Sequence, residues 1–434
     1  MNSKYVRENL KQVRDSLARR RSDYPIDELL KLDEQVRALG KDLQELRERR
    51  NRGSLEVSRL KKEKKDAKAQ IDELAEIKKR IDEIESLLPN YQDRLDFLLM
   101  NMPNVLHDSV PYGKDSDENV EVRKWGAPKK TGAENHAELL KRLGLLDLEK
   151  AAEVSGARFY YLKGDLALLE QALIRFSIDT MIRKGFTLIA PPLMLKKKYY
   201  QGATALGDFE EALYKVSSPK EAQTRKELEG MEEELFLIST SEHPMAAMVS
   251  DTVFSAKELP LRFVGISPNF RREAGAHGKD TKGIFRVHQF YKVEQFVVSR
   301  PEDSWRIFDE LIGNAEDVFK KLDLPYRIVN ICTGDIGTVA AKKYDLEAYM
   351  PSSEGYRELI SCSNCTDWQS LRLNIRFDEG GERRYAHTLN STVSGSVERM
   401  MVAIVENYSN PDGTVTIPEA LVPYMGKERI GQQK

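Results

Sequence analysis

The 434-residue sequence lacks the features that mark secreted, disulfide-linked or membrane-spanning chains. It has only three cysteines, too few for a disulfide framework in a chain of this length. Apolar residues never run for 18 positions, and the opening residues MNSKYVRENL are charged and lack the apolar segment of a secretory signal. We therefore expect a protein of the cytoplasm, without a membrane partner.

A net charge is also nearly absent. The 68 Lys and Arg residues almost balance the 70 Asp and Glu residues, which leaves a formal net charge of −2. A surface that binds anions must therefore come from local separation of charge. Internal repeats and low-complexity tracts are absent as well, and the length and the 40% hydrophobic content suit two or three domains.

What is present begins with two segments whose apolar residues recur at alternating steps of three and four. The first runs from Leu32 to Leu60 and the second from Leu74 to Met102, separated by the polar stretch KKEKKDAKAQ. This spacing is typical of a coiled coil, and the polar break predicts an antiparallel two-helix hairpin. Pro89 is expected to kink the return helix. Residues 1–104 are therefore predicted to form a coiled-coil arm.

The far half of this arm is basic. Residues 47–68 contain ten Lys or Arg residues against four Asp or Glu residues. Such an excess suits a long anionic partner. The alternative is the solvated outer face of a coiled coil, which this stretch alone favours.

The remainder reads as a linker, 105–135, and a globular domain, 136–434. The linker is rich in Pro, Gly, Asn and Asp and has no helical period. The domain alternates helical segments with short β-rich runs, several of which are joined by turn-like loops such as DEGGE. These features predict an α+β fold, a mostly antiparallel sheet flanked by helices.

One stretch of this domain, FRREAGAHGKDTKGIFRVHQF from Phe270 to Phe290, concentrates cations and is followed by YKVEQF. Strand alternation places Arg286, Phe290, Lys292 and Glu294 on one face. If the preceding strand pairs with this one, Arg271 and Glu273 join that face, whereas Arg272 points the opposite way. Guanidinium groups, an aromatic ring and carboxylates together suit a nucleotide. A surface salt-bridge ladder is the alternative, and spacing alone does not choose between them.

The same stretch resembles motif 2 of the class II aminoacyl-tRNA synthetases, and in this form that of the seryl-tRNA synthetases. Further resemblances are STSEHP (239–244), YRELISCSNCTDWQSLR (356–372), HTLNSTVSGSVERMMVAIVENY (387–408) and GFTLIAPPLM (185–194), which is similar to motif 1, the dimer interface of this class. The linker and the arm are also similar to those of the family. The resemblance thus covers nearly the whole chain.

The resemblance implies roles for individual residues. Arg271 would clamp the α-phosphate and the serine carboxylate, Glu273 would meet the adenine amino group, and Phe290 would stack on adenine.

The implied catalytic residues are Arg271, Glu273 and Arg399. The implied ATP-binding residues are Arg271, Arg272, Glu273, Arg286, Val287, Phe290, Glu358, Leu359, Ile360, Ser361 and Arg399. The implied Mg²⁺ ligands are Glu358 and Ser361. The implied L-serine-binding residues are Thr240, Ser241, Glu242, Arg271, Glu294, Asn390 and Thr392. The implied tRNA-binding residues are Arg50, Arg52, Arg59, Lys61, Lys62, Lys64, Lys65, Lys279 and Lys282.

The implied activity is that of a serine–tRNA ligase. It would use ATP and Mg²⁺ to form seryl-adenylate and pyrophosphate, and would then charge tRNA(Ser), with tRNA(Sec) left open. The implied assembly is a homodimer, with no DNA partner. The rivals are a carrier-protein amino-acid ligase of the same fold and a catalytically silent paralogue. The basic arm argues against the first, and the intact arginines and carboxylates argue against the second.

Three positions keep alternatives open. Asn390 and Arg399 are one residue further apart than is usual in the family, which makes the place of Thr392 less secure. Cys362-x-x-Cys365 could form a zinc site with Cys332 and His387, but only one clustered ligand pair exists and small buried residues are the favoured interpretation. His288 is expected to make a structural hydrogen bond rather than to act as an acid or base.

Overall fold

The computed structural model describes residues 2–128, 132–205, 210–217, 234–273 and 282–431. The chain forms two compact units, Met1–Pro103 and Asn104–Lys434. No helix in the described ranges is long and apolar enough to cross a membrane.

The N-terminal unit is built on a helical hairpin. Its helices are α1 (Ser3–Glu8), α2 (Leu10–Arg19), α3 (Ile26–Lys62) and α4 (Lys68–Asn101). The 37 residues of α3 span about 55 Å at about 1.5 Å per residue. Heptad residues from both helices form the shared interior, among them Leu43, Ile77, Ile81 and Ile84. The predicted hairpin is therefore present.

Exposed ion pairs accompany the antiparallel pairing of α3 and α4. Arg94 near the end of α4 pairs with Glu28 near the start of α3 at 2.7 Å, and Arg49 pairs with Glu73 at 2.9 Å. Pro89 lies inside α4, which runs without a break. Pro89 is exposed, so water can satisfy the carbonyl group that the missing N–H leaves without a helical partner.

The second unit is organised around one eight-stranded sheet with the order β1-β11-β12-β13-β16-β10-β9-β4. Neighbouring strands are antiparallel except β4, which lies parallel to β9 at one edge. The strands of this sheet are β1 (Val120–Trp125), β4 (Thr187–Ile189), β9 (Leu261–Phe270), β10 (Gln289–Ser299), β11 (Tyr326–Asn330), β12 (Lys342–Met350), β13 (Gly355–Thr366) and β16 (His387–Ser396). The α+β class is confirmed.

Among the described residues of this unit, short strands form four smaller sheets. They are β2 (Leu146–Asp147), β3 (Tyr161–Leu162), β5 (Met194–Lys196), β6 (Lys215–Val216), β7 (Leu235–Leu237), β8 (Val253–Ser255), β14 (Arg376–Glu379), β15 (Glu382–Tyr385), β17 (Val415–Thr416) and β18 (Arg429–Ile430).

Helices cover the large sheet and bury its apolar residues. They are α5 (His136–Arg142), α6 (Leu148–Ser155), α7 (Asp165–Arg183), α8 (Lys197–Ala203), α9 (Glu242–Met248), α10 (Ser304–Lys321), α11 (Trp368–Leu373), α12 (Val397–Tyr408) and α13 (Val422–Met425). The main core combines α7, α10 and α12 with the inner strands, where Leu173, Phe308, Val293 and Ile404 are fully or almost fully buried. Apolar burial of this extent is the dominant stabilising term of the fold.

The stretch predicted as a linker also contributes to this unit. It holds β1, which extends the sheet by pairing with β11. Asn104, just before it, donates hydrogen bonds to the carbonyl groups of Val339 and Cys365 at 2.9 and 2.7 Å. These contacts tie the segment to the sheet.

Candidate active site

The arginine-rich stretch enters the sheet differently from the predicted pair of strands. β9 ends at Phe270 and β10 begins at Gln289, so the prediction of a regular strand from Arg286 is wrong. Glu273 has φ +49°, which a strand cannot hold, and Ile284, Phe285 and Val287 precede β10 with their side chains buried in the main core. The alternation of side chains along a strand therefore does not determine where the side chains of Arg286 and Glu273 lie.

The two strands are nevertheless held together beyond their ends. The N–H of Arg271 donates to the carbonyl of His288 at 2.9 Å, and Nδ1 of His288 donates to the carbonyl of Arg271 at 2.7 Å. His288 thus makes the expected structural hydrogen bond. Its contact fixes the backbone from which the Arg271 side chain reaches the site.

One cavity opens on this face of the sheet and collects residues from distant parts of the chain. It is lined by Arg271, Glu273, Phe285, Arg286, Val287, Phe290, Lys292, Glu358, Leu359, Ser361, Thr392, Ser396 and Arg399. The wall thus combines three arginines with two aromatic rings and two carboxylates, a combination suited to a nucleotide.

Arg271 is held in place from two sides. Its Nε and Nη2 donate to the carbonyl of Ser239 at 3.3 and 3.2 Å, and its guanidinium lies 5.2 Å from the ring centre of Phe290. Glu273 lies nearby, with its Oε2 3.4 Å from Nε of Arg286. Both guanidinium groups and the Glu273 carboxylate therefore line the same cavity.

Arg399 reaches the cavity from the first turn of α12. Ser396 caps this helix by accepting the N–H of Arg399 at 3.1 Å. Nε of Arg399 donates to the carbonyl of Phe285 at 3.2 Å, and its guanidinium lies 4.9 Å from the ring centre of Phe285. These contacts hold a third guanidinium against the cavity wall.

A β-bulge brings the two implied metal ligands to one side of their strand. Glu358 and Ser361 are three residues apart, a spacing that puts side chains on opposite faces of a regular strand. Between the pairs Leu346↔Ile360 and Glu347↔Glu358 the register shifts by one residue, which leaves Leu359 as the extra residue of the bulge. Both side chains therefore line the cavity.

The donor set suits Mg²⁺. The Glu358 side chain is 48% exposed and opens into the cavity beside Ser361. Desolvation raises the pKa of Glu358, but Arg399, Lys343 and Arg271 outweigh it and lower the pKa, so the carboxylate stays ionised. No group of three or more His, Cys, Asp or Glu side chains within the described residues could hold a metal alone. Two protein oxygens completed by phosphate and water oxygens are an ordinary arrangement for Mg²⁺.

Of the implied serine-binding residues, Arg271 and Thr392 line the cavity, and Glu242 and Glu294 lie close to each other next to Thr392. Glu294 on β10 lies directly opposite Thr392 on β16, and Thr392 lines the cavity. Glu242 opens α9 and accepts hydrogen bonds from Gln369, at 2.8 Å, and from Asn390. The buried Oδ1 of Asn390 has no hydrogen-bond partner among the described residues. An orphaned acceptor beside two carboxylates suits a small polar ligand.

Burial and charge set the ionisation of this pocket. Burial, followed by the neighbouring Glu294, raises the pKa of Glu242 to about 7, although Lys292 and the two amide hydrogen bonds oppose the shift. Burial, with help from Arg271 and Lys292, lowers the pKa of His243 to about 3, so this imidazole is neutral.

Some predicted site residues lie elsewhere. The exposed Arg272 does not line the cavity; its N–H donates to the carbonyl of Ala212 at 2.9 Å. Ser241 turns its hydroxyl to the carbonyl of Gly265 at 3.3 Å, and Ile360 is packed in the hydrophobic core. Lys279 lies outside the described residues, whereas Lys282 lines a second cavity with His136 and Glu406.

Sequence reasoning also missed contributors to the cavity. Phe285 and Ser396 were not singled out, and Lys292 was placed on the correct face but given no role. For Lys292 the signal was its position two residues before Glu294. No comparable signal marked Phe285. The centre of its ring lies 4.9 Å from the guanidinium of Arg399 and 4.8 Å from that of Arg357.

Among the described residues, Cys362 and Cys365 do not form a zinc site with Cys332 and His387. Cys332, Cys362 and Cys365 are free and buried, and burial raises the thiol pKa of both Cys362 and Cys365. His387 instead contacts the hydroxyl of Ser304 through Nδ1 at 2.9 Å. The cysteines act as small buried residues.

In the arm, the implied tRNA-binding side chains are all exposed. Arg59 pairs with Glu56 at 2.7 Å, and Lys65 with Glu63 at 2.8 Å. Within the described part of the arm, the other five form no ion pair: Arg50, Arg52, Lys61, Lys62 and Lys64. Their charges therefore face solvent.

Comparisons with known proteins agree with this fold and cavity. A family model described as the tRNA synthetase class II core domain (G, H, P, S and T) matches residues 214–408, so the chain is a class II aminoacyl-tRNA synthetase. A model of the seryl-tRNA synthetase N-terminal domain matches residues 1–106. The serine–tRNA ligase of Methanoculleus marisnigri is 49% identical over 436 residues, covering 98% of this chain and 99% of that protein. The chain belongs to the seryl-tRNA synthetase family and is an ATP-dependent ligase.

Two solved structures are similar over nearly the whole chain. Seryl-tRNA synthetase from Pyrococcus horikoshii, crystallised in complex with ATP, gives a TM-score of 0.92 at 43% identity and covers 100% of both chains. The cytoplasmic serine–tRNA ligase from Naegleria fowleri, in complex with AMP, gives a TM-score of 0.87 at 35% identity, covering 98% of this chain and 97% of that one.

Proposed function

We propose that this chain activates L-serine with ATP and then transfers the seryl group to the 3′-terminal adenosine of tRNA(Ser). The observation that carries the proposal is the continuity of one cavity. The same cavity is lined by Arg271, Arg286 and Arg399, which suit phosphates, and by Thr392, which lies opposite Glu294 in the carboxylate-lined pocket. A nucleotide and a small amino acid could therefore meet there.

In the first step a carboxylate oxygen of serine attacks the α-phosphorus of ATP. The bond between the α-phosphorus and its bridging oxygen breaks, and pyrophosphate leaves with that oxygen. Such a displacement needs in-line positioning and neutralisation of phosphate charge rather than a protein nucleophile. We assign Arg271 to the α-phosphate and the serine carboxylate, Arg286 to the γ-phosphate, and Arg399 to adenine and the triphosphate tail. Phe290 and Glu273 would hold the adenine ring and its amino group.

Glu358 and Ser361 would hold Mg²⁺ together with ATP. When bound, the ion supplies Lewis-acid neutralisation of phosphate oxygens. The bulge at Leu359 supports this assignment because it turns both oxygen donors toward the cavity.

Selection of serine would come from the buried polar residues next to Thr392. Glu242 and Glu294 offer carboxylates for the serine ammonium and hydroxyl groups, and Thr240, Asn390 and Thr392 add hydroxyl and amide groups. Alanine would leave these buried groups without partners, which is the strongest form of discrimination available to a small pocket.

In the second step a hydroxyl of the terminal ribose of tRNA attacks the acyl carbon, and AMP leaves. We assign the arm to the tRNA body, because its cations between Arg50 and Lys65 are exposed. Lys282, at a second cavity next to the first, and Lys279 are assigned to the acceptor end. A tRNA(Sec) with a matching long arm is a second candidate substrate.

A homodimer is part of the proposal. The motif 1 segment exposes apolar side chains, with Leu188, Leu193 and Met194 each about two-fifths exposed or more. Such side chains near a sheet edge suit a second copy of the chain. Light scattering on the full chain tests this assembly, and a monomer at micromolar concentration would contradict it.

The complete reaction tests the proposal. The full chain, ATP, Mg²⁺ and labelled serine are incubated with a tRNA(Ser) transcript, and acid-precipitable seryl-tRNA is measured, with a tRNA(Ala) transcript as control. Esterification of serine to tRNA(Ser) alone is expected. Charging of neither RNA, or of both equally, would refute the proposal, and a parallel reaction with tRNA(Sec) decides the second substrate.

A further inference from the structure

A buried lysine lies inside the pocket assigned to serine. Lys292 is on β10, two residues before Glu294, and its side chain is only 14% exposed. Its ammonium group lies 2.8 Å from Oε2 of Glu294 and donates to the hydroxyl of Thr240 at 3.3 Å. Neither the phosphate assignments nor the serine assignments account for this cation.

The strand geometry explains why the lysine and the glutamate meet. Residues two apart on a strand share a face, so Glu294 extends from the same side of β10 as Lys292, which lines the cavity. The pairing with β16 is irregular between them, because Lys292 lies opposite Ser396 and Glu294 lies opposite Thr392. Thr240 comes from the turn before α9 and has its hydroxyl within reach of the same ammonium.

The charges of the pocket require such a cation. Glu242 and Glu294 are 9% and 1% exposed, and a buried carboxylate is costly unless it is paired. His243 beside them is neutral, so it adds no positive charge. Among the ion pairs of the described residues, Lys292 is the cation in direct contact with Glu294.

We propose that Lys292 is the positioning residue of the amino-acid pocket, whose ammonium holds the Glu294 carboxylate and the Thr240 hydroxyl where serine needs them. The inference rests on the proposed activation of serine. Lys292 acts through its two partners, so its loss should disturb serine recognition more than ATP binding. A misplaced Glu294 also recognises the serine hydroxyl less well, so discrimination against alanine should fall.

The test compares Lys292→Met with Lys292→Arg in the full chain. The methionine variant keeps the length and apolar stem but removes the charge, and the arginine variant keeps the charge. The matched control is Lys342→Met, another half-buried strand lysine, whose ammonium lies 4.7 Å from the ring centre of Tyr344 and does not line the cavity. Pyrophosphate exchange into ATP gives KM for serine, KM for ATP and the serine-to-alanine ratio of kcat/KM.

For Lys292→Met we expect KM for serine to rise roughly ten- to a hundredfold, with KM for ATP within about twofold and a lower serine-to-alanine ratio. Lys292→Arg should keep most of the discrimination, and Lys342→Met should match the unmodified chain. An unchanged KM for serine, or equal losses for serine and ATP, would overturn the proposal. If the methionine variant does not fold, the arginine variant provides the test. The comparison is Thr240→Val, which removes the hydroxyl that Lys292 contacts. If Lys292→Arg discriminates serine from alanine as poorly as Thr240→Val, a role of the Lys292 charge is contradicted.

Pyrophosphate exchange by the unmodified chain distinguishes a failure of the proposed function from a failure of the role of Lys292. If it shows no serine-dependent exchange, the proposed function itself fails. If it exchanges serine while Lys292→Met behaves like Lys342→Met, only the role of Lys292 is refuted.

Discussion

Nη1 of Arg399 lies 3.5 Å from the carboxylate of Glu358 and donates to the backbone carbonyl of the same residue at 2.9 Å. One guanidinium therefore holds both the charge and the backbone of the residue assigned to Mg²⁺. The pair also couples the first turn of α12 to the bulge in β13. Arg399, which we assign to the phosphates, thus also pairs with the carboxylate that we assign to Mg²⁺.

Replacing the carboxylate of Glu358 tests the metal assignment. Glu358→Gln keeps the shape of the side chain but removes the charged oxygen ligand. We therefore expect pyrophosphate exchange into ATP to slow by about 10²-fold, and the Mg²⁺ concentration that gives the half-maximal rate to rise. The control is Glu347→Gln, because Glu347 pairs with Glu358 in register but binds Arg327 at 2.6 Å. Titration of exchange with Mg²⁺ checks this, and an unchanged Mg²⁺ requirement in Glu358→Gln would contradict the assignment.

A glycine supports the same contact between α12 and β13. Gly395 has φ +78°, and a Cβ there would lie 2.8 Å from the carbonyl oxygen of Leu359. Gly395→Ala should therefore shift the bulge and Arg399 and strongly reduce exchange. Gly380→Ala is the matched control, since its φ is +66° but a Cβ there meets open space.

Both alanine variants should lose about 1–2 kcal/mol of unfolding free energy from the left-handed backbone alone. Denaturant unfolding measures that loss, and exchange measures the function. Equal exchange rates in the two variants would show that the clash at Leu359 does not matter.

The affinity for serine should depend on pH through Glu242. Its pKa is raised to about 7, mainly by burial and then by Glu294, so its carboxyl group is protonated below neutrality and ionised above it. Only the ionised form attracts the serine ammonium, so KM for serine should fall as pH rises from about 6 to about 8. Glu294, Lys292, Gln369 and Asn390 also face this carboxyl group.

The variant Glu242→Gln removes the titrating group while keeping an amide of the same shape. It should bind serine more weakly at high pH, and its KM should be nearly flat over this range. A slope of log KM against pH that survives in Glu242→Gln would assign the titration to another group.

The basic segment of the arm should act on tRNA alone. Changing Arg52, Lys61 and Lys62 to Glu reverses three exposed charges, so KM for tRNA should rise by at least tenfold and its dependence on salt should become less steep. The matched control reverses Lys11, Lys31 and Lys41, which are also exposed but lie outside residues 47–68. Charging and exchange assays measure both. Equal losses in the two triple variants, or a loss of exchange, would argue against this role.

Residue patterns predicted the arm well because a coiled coil is a local, periodic structure. Leu43, Ile77, Ile81 and Ile84 lie in the shared interior where the heptads require them. Pattern predicted the strand β10 only in part. The pattern extended the predicted strand back to Arg286. The reason is that charged and apolar residues also alternate in the irregular segment that precedes β10.

The cavity depends on features that no local pattern reveals. The bulge that turns Glu358 and Ser361 to one side arises from pairing with β12, and the left-handed backbone of Glu273 arises outside any strand. Lys292 was visible on the correct face, but its role depends on Thr240, which is 52 residues earlier in the chain. Tertiary contacts therefore supply what the sequence pattern alone does not.

Activation of serine in this cavity predicts that labelled pyrophosphate exchanges into ATP when serine is present. The unmodified chain should exchange with serine and far less with alanine or threonine. Arg271→Ala should lose at least about 10²-fold, whereas Arg272→Ala, which removes the exposed neighbour, should stay near the unmodified rate. No exchange with serine, equal exchange with alanine, or a mild effect of Arg271→Ala would contradict the account.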